Sequence, residues 1–517
     1  MMNVIYILTA MLAVIILTVM LFNYVFYYRY VDRSEHHCLA AIVFTVSMSL
    51  AVLCILLIPI DVFIANDKVK EIINVNIDMS QFNKIMLIAF SALLSMSFAV
   101  IPFTYFYIDD KIEDIVPIDN EFMYKICSAV KHTFFFIIFI VVIIITGLFF
   151  KGNSSLSSSN SHLQTLKILF DTEHFGEKAI SFTMSIFSVF GMIFIIFYAG
   201  YGMGALPFFL IKGKNSLASA HERFEFDRAK KRDRIRTIQE KMTRKGTLTQ
   251  KEKKELIKLK EEEVTISYKM DKISAIIEND SCINKILVIM TPFRVLIGIF
   301  CLIMTLMIFI SLLLTSLDRY LHSECGYQCG FVINENKYKN IIDYVLLSTS
   351  KYYHLDHVLF AIVNLYMFIS AIFGFCTIGI KFLCVTLFEI QKRSTNPQGL
   401  LVLSFEISMM TIAFVLEMIT LCPQYATFGP QLTSDGLKCN MNNMKKCIMT
   451  NIAVFYNKIS ISMPFFSTVF YFANWGLIAV IAMSTLYGMI CRKDEEYDDY
   501  KEEGDDEEKF ALNSGEY

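Results

Sequence analysis

The feature that most constrains this chain is a stretch of thirty-three residues, 179–211, that contains no charged side chain. An α-helix rises about 1.5 Å per residue, and about 20 apolar residues cross the hydrocarbon core of a bilayer. The stretch is therefore long enough for a membrane helix and too long for one straight crossing. Its excess contains residues that break helices or let helices pack closely, which predicts a broken, closely packed end: Gly200, Gly202, Gly204 and Pro207.

Eight further apolar segments are long enough to cross a bilayer as helices. With the first stretch they give nine predicted spans: 4–27, 38–60, 85–107, 133–150, 179–211, 286–316, 358–388, 399–421 and 463–491. The sequence therefore predicts an all-α polytopic integral membrane protein with nine transmembrane helices and a central cytosolic helical hairpin. Four regions follow: a five-span membrane block 1–211, a basic cytosolic insert 212–285, a four-span membrane block 286–491 and an acidic disordered tail 492–517.

Composition agrees with this class of protein. Hydrophobic residues make up 55% of the chain and charged residues 19%, whereas soluble globular proteins average roughly 25% charged residues. The net charge of −2 gives no general basic bias toward nucleic acid. Residues 1–27 lack a positively charged start and a small-residue cleavage site, so we expect a retained first helix rather than a signal peptide.

The loops predict the orientation. Nine spans place the termini on opposite sides, and the short loops on the side of the insert are slightly richer in Lys and Arg, as cytosolic loops are. The opposite loops contain five of the thirteen cysteines and a sequon at Asn153, and an oxidising lumen permits both disulfides and glycosylation. We therefore expect a lumenal or extracellular amino terminus, glycosylation of Asn153 and a cytosolic tail.

The insert contains 20 Lys and Arg residues. Residues 223–244 predict one helix, Gly246 interrupts it, and a partial apolar stripe predicts a second: Leu256, Leu259, Val264 and Ile266. An antiparallel helical hairpin at the membrane surface is the simplest arrangement. Such a hairpin either only connects the two membrane blocks or binds a cytosolic partner or anionic lipid.

Charged residues within membrane segments are costly unless paired or hydrated, so each is a functional candidate. Glu406 and Glu417 in the eighth segment lie eleven residues apart, on nearly one helix face. They face a polar pathway or a partner helix, or Glu406 pairs with Lys381 of the seventh segment while Glu417 lies near the lumenal boundary. Asp61 follows Pro59 at the end of the second segment, where a capping or boundary position suits it better than catalysis.

The chain contains no pattern that predicts an enzyme. His354 and His357 have a spacing that can bind metal on a helix, but no further ligand accompanies them, so we expect interfacial polar residues and no metal site. Phosphate-binding and nucleophile motifs are absent, and no catalytic residue or resident cofactor is predicted. Four lumenal cysteines are expected to form disulfides in a pairing that the sequence leaves open: Cys325, Cys329, Cys439 and Cys447.

Several motifs at the predicted span boundaries resemble signatures of the limb-region membrane protein family. In chain order they are Leu57-Ile-Pro-Ile-Asp61, Tyr201-Gly-Met-Gly-Ala-Leu-Pro207, Leu210-Ile-Lys-Gly213, Ser316-Leu-Asp-Arg-Tyr-Leu-His-Ser323, Asn396-Pro-Gln398 and Pro423-Gln-Tyr-Ala-Thr-Phe-Gly429. The last three look like the branch of lysosomal cobalamin transport escort proteins. The resemblance implies nine membrane helices, a lumenal amino terminus and a cytosolic carboxyl terminus, which agrees with the topology above.

The resemblance also implies a function. The chain is expected to be a multi-pass protein of the lysosomal or endosomal membrane that supports export of cobalamin (vitamin B12) to the cytosol, itself or as escort of an ABC-type transporter. Cobalamin is then a transported ligand and not a cofactor; the Asp-x-His-x-x-Gly pattern of enzymes that bind the cobalt of cobalamin is missing.

Two alternatives stay open. One is a plasma-membrane receptor for lipocalin-type ligands or an endocytic adaptor, which would use the lumenal cysteines and an acidic dileucine pattern at 252–257. The other is a proton-coupled carrier of another small molecule, which would use Glu406 and Glu417.

Overall fold

The structure is a computed structural model that describes the following residues: 2–32, 37–65, 79–109, 121–149, 175–212, 217–245, 256, 259, 263, 266–267, 281–322, 338–352, 355–382, 385–432, 439, 447–462 and 464–490. Several predicted features lie outside these residues, namely Asn153, Cys325, Cys329, His354, Val264 and the tail from residue 492. The chain forms two compact units, Met1–Gly204 with Ile303–Thr485, and Ala205–Leu302 with Leu486–Tyr517.

Nine helices among the described residues are long and apolar enough to cross a membrane, which confirms the predicted fold class. The spans are formed by Met2–Tyr30, Cys38–Ala65, Met79–Ser95 with Ile101–Asp109, Glu121–Phe149, Phe175–Phe194 with Gly200–Lys212, Ser281–His322, Leu355–Ile378, Pro397–Leu421 and Pro464–Ile490. Shorter or non-spanning helices are Leu217–Lys245, Ile341–Thr349, Pro423–Phe428 and Asn451–Ser462. Single π-helical turns, Met96–Val100 and Ile195–Ala199, join the two parts of the third and fifth spans.

The predicted break at the end of the fifth span is wrong. The π-helical turn Ile195–Ala199 lies upstream of the glycines, and the helix continues from Gly200 to Lys212 through Pro207. Proline has no N–H, so Pro207 leaves the carbonyl of Met203 without its helical donor. The hydroxyl of Thr305 in the sixth span donates to that carbonyl at 2.8 Å. A neighbouring span therefore supplies the missing hydrogen bond, as polar side chains do for proline-containing membrane helices.

The glycines of the fifth span lie at helix crossings. A Cβ atom on Gly202 would lie 1.8 Å from the carbonyl oxygen of Ser370 in the seventh span. At the same crossing, a Cβ atom on Gly374 would lie 2.1 Å from the carbonyl oxygen of Tyr198. A Cβ atom on Gly204 would lie 1.9 Å from the hydroxyl of Ser484 in the ninth span. Close backbone approach through small residues is a common way for membrane helices to associate.

The eighth span forms the core of the first compact unit. It packs against the second and fifth spans, and a Cβ atom on Gly191 of the fifth span would lie 2.3 Å from the carbonyl oxygen of Met409. Phe98 of the third span contacts Phe187 of the fifth and Phe405 of the eighth, with ring centroids 4.5 and 5.5 Å apart. The first unit thus contains spans from both predicted membrane blocks, and the division at residues 211 and 286 stays a prediction.

The seventh span ends earlier than predicted. Its helix stops at Ile378, and Gly379 adopts a φ of 74°, a left-handed conformation that glycine adopts without steric cost. The antiparallel strands Ile380–Phe382 and Val385–Phe388 follow as a hairpin. The assignment of Lys381 to a membrane span is therefore wrong, because Lys381 lies in the first of these strands.

The second unit contains the insert. Its first helix is Leu217–Lys245, and the described residues between 256 and 267 are also helical. Ile235, Ile238 and Ile266 are buried, and Arg232 forms an ion pair with Glu263. The two helical segments therefore share an apolar seam with an ion pair across it, as expected for a helical hairpin.

Candidate functional site in the eighth span and its polar cap

The eighth span is almost entirely enclosed by protein. All of its residues are buried except Val402 and Phe405. Because no water reaches such a helix, its hydroxyl groups need protein partners. Ser404, Ser408 and Thr411 donate to carbonyl oxygens of their own helix at 2.8, 2.7 and 2.9 Å.

The two glutamates of this span lack such partners. Glu406 and Glu417 are 7% and 1% exposed. One carboxyl oxygen of Glu406 and both carboxyl oxygens of Glu417 have no hydrogen-bond partner among the residues that the structure describes. The helical period places both residues on the same face as Ala413, and a Cβ atom on Gly191 would lie 2.9 Å from the Cβ atom of Ala413. The two carboxyl groups therefore lie on the side of the eighth span that faces the fifth span.

Lys381 does not neutralise Glu406. The Lys381 side chain is exposed, whereas Glu406 is buried, and no ion pair joins these two described residues. The backbone N–H of Lys381 donates instead to the hydroxyl of Tyr198 at 3.1 Å. The predicted ion pair between Glu406 and Lys381 is therefore wrong. Lys381 lies in the hairpin that begins after Gly379 and not in the seventh span, so this cation does not reach Glu406.

Asp61 lies in the last turn of the second span and is fully buried. Its two carboxyl oxygens accept hydrogen bonds from the side-chain amide of Asn451 and the backbone N–H of Ile452, each at 2.9 Å. These residues begin the helix Asn451–Ser462, whose first N–H groups have no intrahelical acceptor. Asp61 therefore caps a helix that follows it by almost four hundred residues.

A cluster of buried polar side chains covers the carboxyl-terminal end of the eighth span, and Asn340 is its centre. The side-chain amide of Asn340 donates to the carbonyl of Leu421 and the hydroxyl of Thr315, each at 2.8 Å. Its carbonyl oxygen accepts from the hydroxyl of Ser311 and from the backbone N–H of Ile342. Asn340 thereby joins the sixth and eighth spans and caps the helix Ile341–Thr349.

Asp343 extends this cluster to the helix Pro423–Phe428. Its carboxyl oxygens accept hydrogen bonds from the backbone N–H groups of Gln424 at 3.2 Å and Tyr425 at 2.9 Å. Burial raises the pKa of the Asp343 carboxyl to about 7, and the hydrogen bonds from Tyr425 and Gln424 offset only part of this effect.

Tyr425 links Asp343 to the start of the seventh span. Its hydroxyl donates to Asp356 at 2.8 Å and lies 3.2 Å from Nδ1 of His357. Burial, followed by the neighbouring Asp356 carboxylate, raises the pKa of Tyr425. His357 also contacts the ring of Phe63 edge-on. His357 thus lies in a hydrogen-bonded contact with Tyr425, and no group of three metal-binding side chains occurs among the described residues.

Cys439 and Cys447 form a disulfide beside this cluster. The side-chain amide of Gln424 donates to the carbonyl of Cys439, which ties the disulfide loop to the helix Pro423–Phe428. Cys422 is a buried free thiol whose Sγ contacts the carbonyl of Met418 at 3.2 Å. We name this whole set, Asp61, Asn340, Asp343, Asp356, His357, Tyr425 and the disulfide, the polar cap.

Sequence reasoning missed the centre of the polar cap. Asn340 and Asp343 precede and begin a short helix, and an Asn before an apolar run is a local signal for a helix cap. Nothing local predicts their partners at Leu421 and Tyr425, which are about eighty residues away.

The raised pKa of Asp343 predicts how stability depends on pH. The folded state holds the proton up to about pH 7, whereas an unfolded Asp releases it near pH 4. Within that window the folded state binds more protons, so stability is greatest at the acidic end and falls as the pH rises. Each pH unit is worth at most about 1.4 kcal/mol. We expect the purified protein to unfold at a higher temperature at about pH 5 than at about pH 7.5.

Asp343→Asn should reduce this difference, because it removes the titrating group. Asp109→Asn, at an exposed position at the end of the third span, is the matched control and should leave the difference unchanged. An Asp343→Asn protein with the full wild-type difference between the two pH values would contradict the assignment.

These observations define a polytopic membrane protein built around one enclosed span with a polar cap at its end. The sequence profile of LMBR1-like membrane proteins matches residues 8–287, and the chain belongs to this family. The family resemblance found in the motifs is thereby confirmed.

Individual relatives match the chain over most of its length. It is 26% identical to the "Probable lysosomal cobalamin transporter" of Nematostella vectensis, over 94% of this chain and 95% of the relative. It is 28% identical to the "Lysosomal cobalamin transport escort protein LMBD1" of Mus musculus, over 91% of each chain. A "Probable lysosomal cobalamin transporter" of the fungus Pyrenophora tritici-repentis is 26% identical over 88% of this chain and 85% of its own. No solved structure matches the chain.

Proposed function

We propose that this protein resides in the lysosomal membrane as a multi-pass protein and supports the export of cobalamin from the lysosome to the cytosol, as escort of an ABC-type transporter. The observation that carries the proposal is the end-to-end match to relatives named for lysosomal cobalamin transport in a sea anemone, a mammal and a fungus. Each match covers 88% or more of this chain, so the likeness is not limited to one shared segment.

The enclosed eighth span supports the role of escort over that of transporter. A transport pathway needs hydrated polar groups or an apolar opening at the middle of the membrane. The eighth span is instead packed on nearly all sides, and the hydroxyl groups of Ser404, Ser408 and Thr411 bond to its own backbone. By contrast, only 11% of an 18-residue stretch within 13–30 of the first span and 17% of one within 123–146 of the fourth are buried, which leaves apolar faces for lipid or for a membrane partner. An escort is not an enzyme, in agreement with the absence of a catalytic motif in the sequence.

The test uses cells from which the gene has been deleted. Labelled cobalamin is supplied by endocytosis, and its distribution between lysosomes and cytosol is measured. We expect retention in lysosomes and restoration of cytosolic cobalamin by the wild-type gene. An unchanged distribution would refute the proposal. Surface labelling of intact cells separates the proposal from the receptor alternative, which requires the protein at the plasma membrane.

A proton-coupled carrier is the second candidate, because one observation favours it. Glu417 is buried, and neither of its carboxyl oxygens is hydrogen-bonded to a described residue. A carboxyl group in such a site is far less costly when it carries a proton. If this candidate is right, the purified protein alone in liposomes moves cobalamin under a pH gradient, and the double variant Glu406→Gln/Glu417→Gln does not. The escort proposal predicts no cobalamin flux from either protein.

A further inference from the structure

The first helix of the insert is strongly basic over its carboxyl-terminal half. From Arg228 to Lys245 the first insert helix carries nine Lys or Arg residues against two Asp or Glu residues. The burial of Ile235 and Ile238 places the apolar side of the helix inside the hairpin. Lys230, Arg236 and Lys241 are exposed on the remaining surface. We call the outward surface of residues 228–245 the basic face.

The end of the ninth span lies beside the end of the fifth span. A Cβ atom on Gly488, near the end of the ninth span, would lie 2.7 Å from the ring of Phe208, near the end of the fifth span. The insert follows the fifth span, and the tail follows the ninth. Because four crossings separate these two points, both segments emerge on the same side of the membrane, whichever side that is.

The tail has the opposite charge. Residues 494–517 contain twelve Asp or Glu residues and two Lys residues. The tail therefore has an excess of ten negative charges, whereas residues 228–245 have an excess of seven positive charges. Opposite charges on surfaces tethered to each other attract over roughly the 8 Å Debye length of physiological salt.

The tail is also long enough to reach the whole basic face. The helix Leu217–Lys245 has 29 residues and is about 44 Å long at about 1.5 Å per residue. The chain after Ile490 has 27 residues and can extend to about 90 Å. A tether of this length gives an effective concentration on the order of millimolar, which compensates for the weakness of each exposed ion pair.

We propose that the acidic tail, residues 494–517, docks on the basic face of the insert, residues 228–245. The docked tail covers the positive charge from other anionic surfaces, such as acidic lipid headgroups or an acidic protein. Release of the tail then exposes the insert. The proposed docking does not depend on the proposed function in cobalamin export, so it can be correct even if that function is not.

Photo-crosslinking tests the docking in the full-length protein, embedded in nanodiscs of zwitterionic lipid. A photo-reactive phenylalanine replaces Lys230 on the basic face, and mass spectrometry identifies the crosslinked peptides. The matched control places the same group at Lys339, an exposed lysine between the sixth and seventh spans and thus on the opposite side of the membrane. We expect tail peptides from position 230 and none from position 339.

Charge variants establish the cause. Replacing each Asp and Glu of residues 494–508 by Asn and Gln should lower the crosslink yield at least about fivefold, and so should 1 M salt, at which the Debye length falls to about 3 Å. The double variant Arg236→Glu/Lys241→Glu reverses two charges on the basic face and should lower the crosslink yield with the wild-type tail. The yield should recover when the tail also carries Glu502→Lys, Glu503→Lys and Asp505→Lys. An unchanged yield with the neutral tail would overturn the proposal. The same holds if the insert crosslinks only to lipid when anionic lipid is added and never to the tail.

Discussion

Gly202→Ala is expected to abolish accumulation of the folded protein, although it adds a single methyl group. That methyl group would lie 1.8 Å from the carbonyl oxygen and 2.6 Å from the carbonyl carbon of Ser370. Both are backbone atoms of the seventh span, so no side-chain rotation relieves the clash. On the opposite helix, Gly374 meets the carbonyl of Tyr198 in the same way. The helices must therefore separate, which costs more than the roughly 1–3 kcal/mol of ordinary overpacking.

Gly476→Ala is the matched control, since it makes the same chemical change in the ninth span. There the new Cβ atom would lie 3.5 Å from the nearest atom, a methyl group of Ile196, which is an ordinary van der Waals distance. Alanine also favours a helix over glycine by up to about 1 kcal/mol. Yield after size-exclusion chromatography and the unfolding temperature in detergent measure both variants. A Gly202→Ala protein as stable as the wild type would contradict the close crossing of the fifth and seventh spans.

Asn340→Ala is expected to lower the unfolding temperature sharply, because this one side chain joins the sixth span, the eighth span and the helix Ile341–Thr349. Its loss removes the donor to Leu421 and Thr315 and the acceptor for Ser311 and Ile342. Each buried group left without a partner costs about 1–3 kcal/mol. Several such groups together represent a large part of the stability of a typical protein, which is about 5–15 kcal/mol.

Asn364→Ala provides the comparison for Asn340→Ala. Asn364 is just as buried, but its amide donates to the carbonyl of Phe360 in its own helix, and its side-chain oxygen has no partner in the described part of the chain. Its replacement should change the unfolding temperature little. Equal effects of the two variants would show that burial, and not the hydrogen bonds between elements, determines the importance of Asn340.

The lengths of the apolar runs were sufficient to predict the nine spans, because a bilayer imposes the same length on each of them. The same lengths were not sufficient to predict where the seventh span ends. Residues 379–388 remain largely apolar after the helix stops, so hydropathy alone extends the span to residue 388. The chain leaves the helix at Gly379 through its left-handed conformation, which hydropathy does not record. In the fifth span the helix extends further than predicted. Pro207 suggested a break, but the helix continues, and Thr305 of the sixth span donates a hydrogen bond to the carbonyl of Met203 that Pro207 leaves free.

In the candidate site, too, some features could be predicted from the sequence and others could not. The helical period placed Glu406 and Glu417 on one face, since that depends only on spacing within one helix. The partners of Asp61 and Asp343 depend on how distant elements pack. The acceptor and donor of the Asp61–Asn451 hydrogen bond are 390 residues apart. A local sequence pattern cannot predict a hydrogen bond between residues so far apart. A single sequence shows only that suitable donors and acceptors are present.

The rate of ATP-dependent cobalamin efflux from isolated lysosomes tests directly whether this protein supports cobalamin export. Lysosomes from wild-type cells, gene-deleted cells and deleted cells that express the wild-type protein are loaded with labelled cobalamin, and initial efflux rates are compared. We expect a several-fold lower rate without the protein, with cobalamin retained in the organelle, and a normal rate after the protein is expressed again. Equal efflux rates from lysosomes with and without the protein would contradict it.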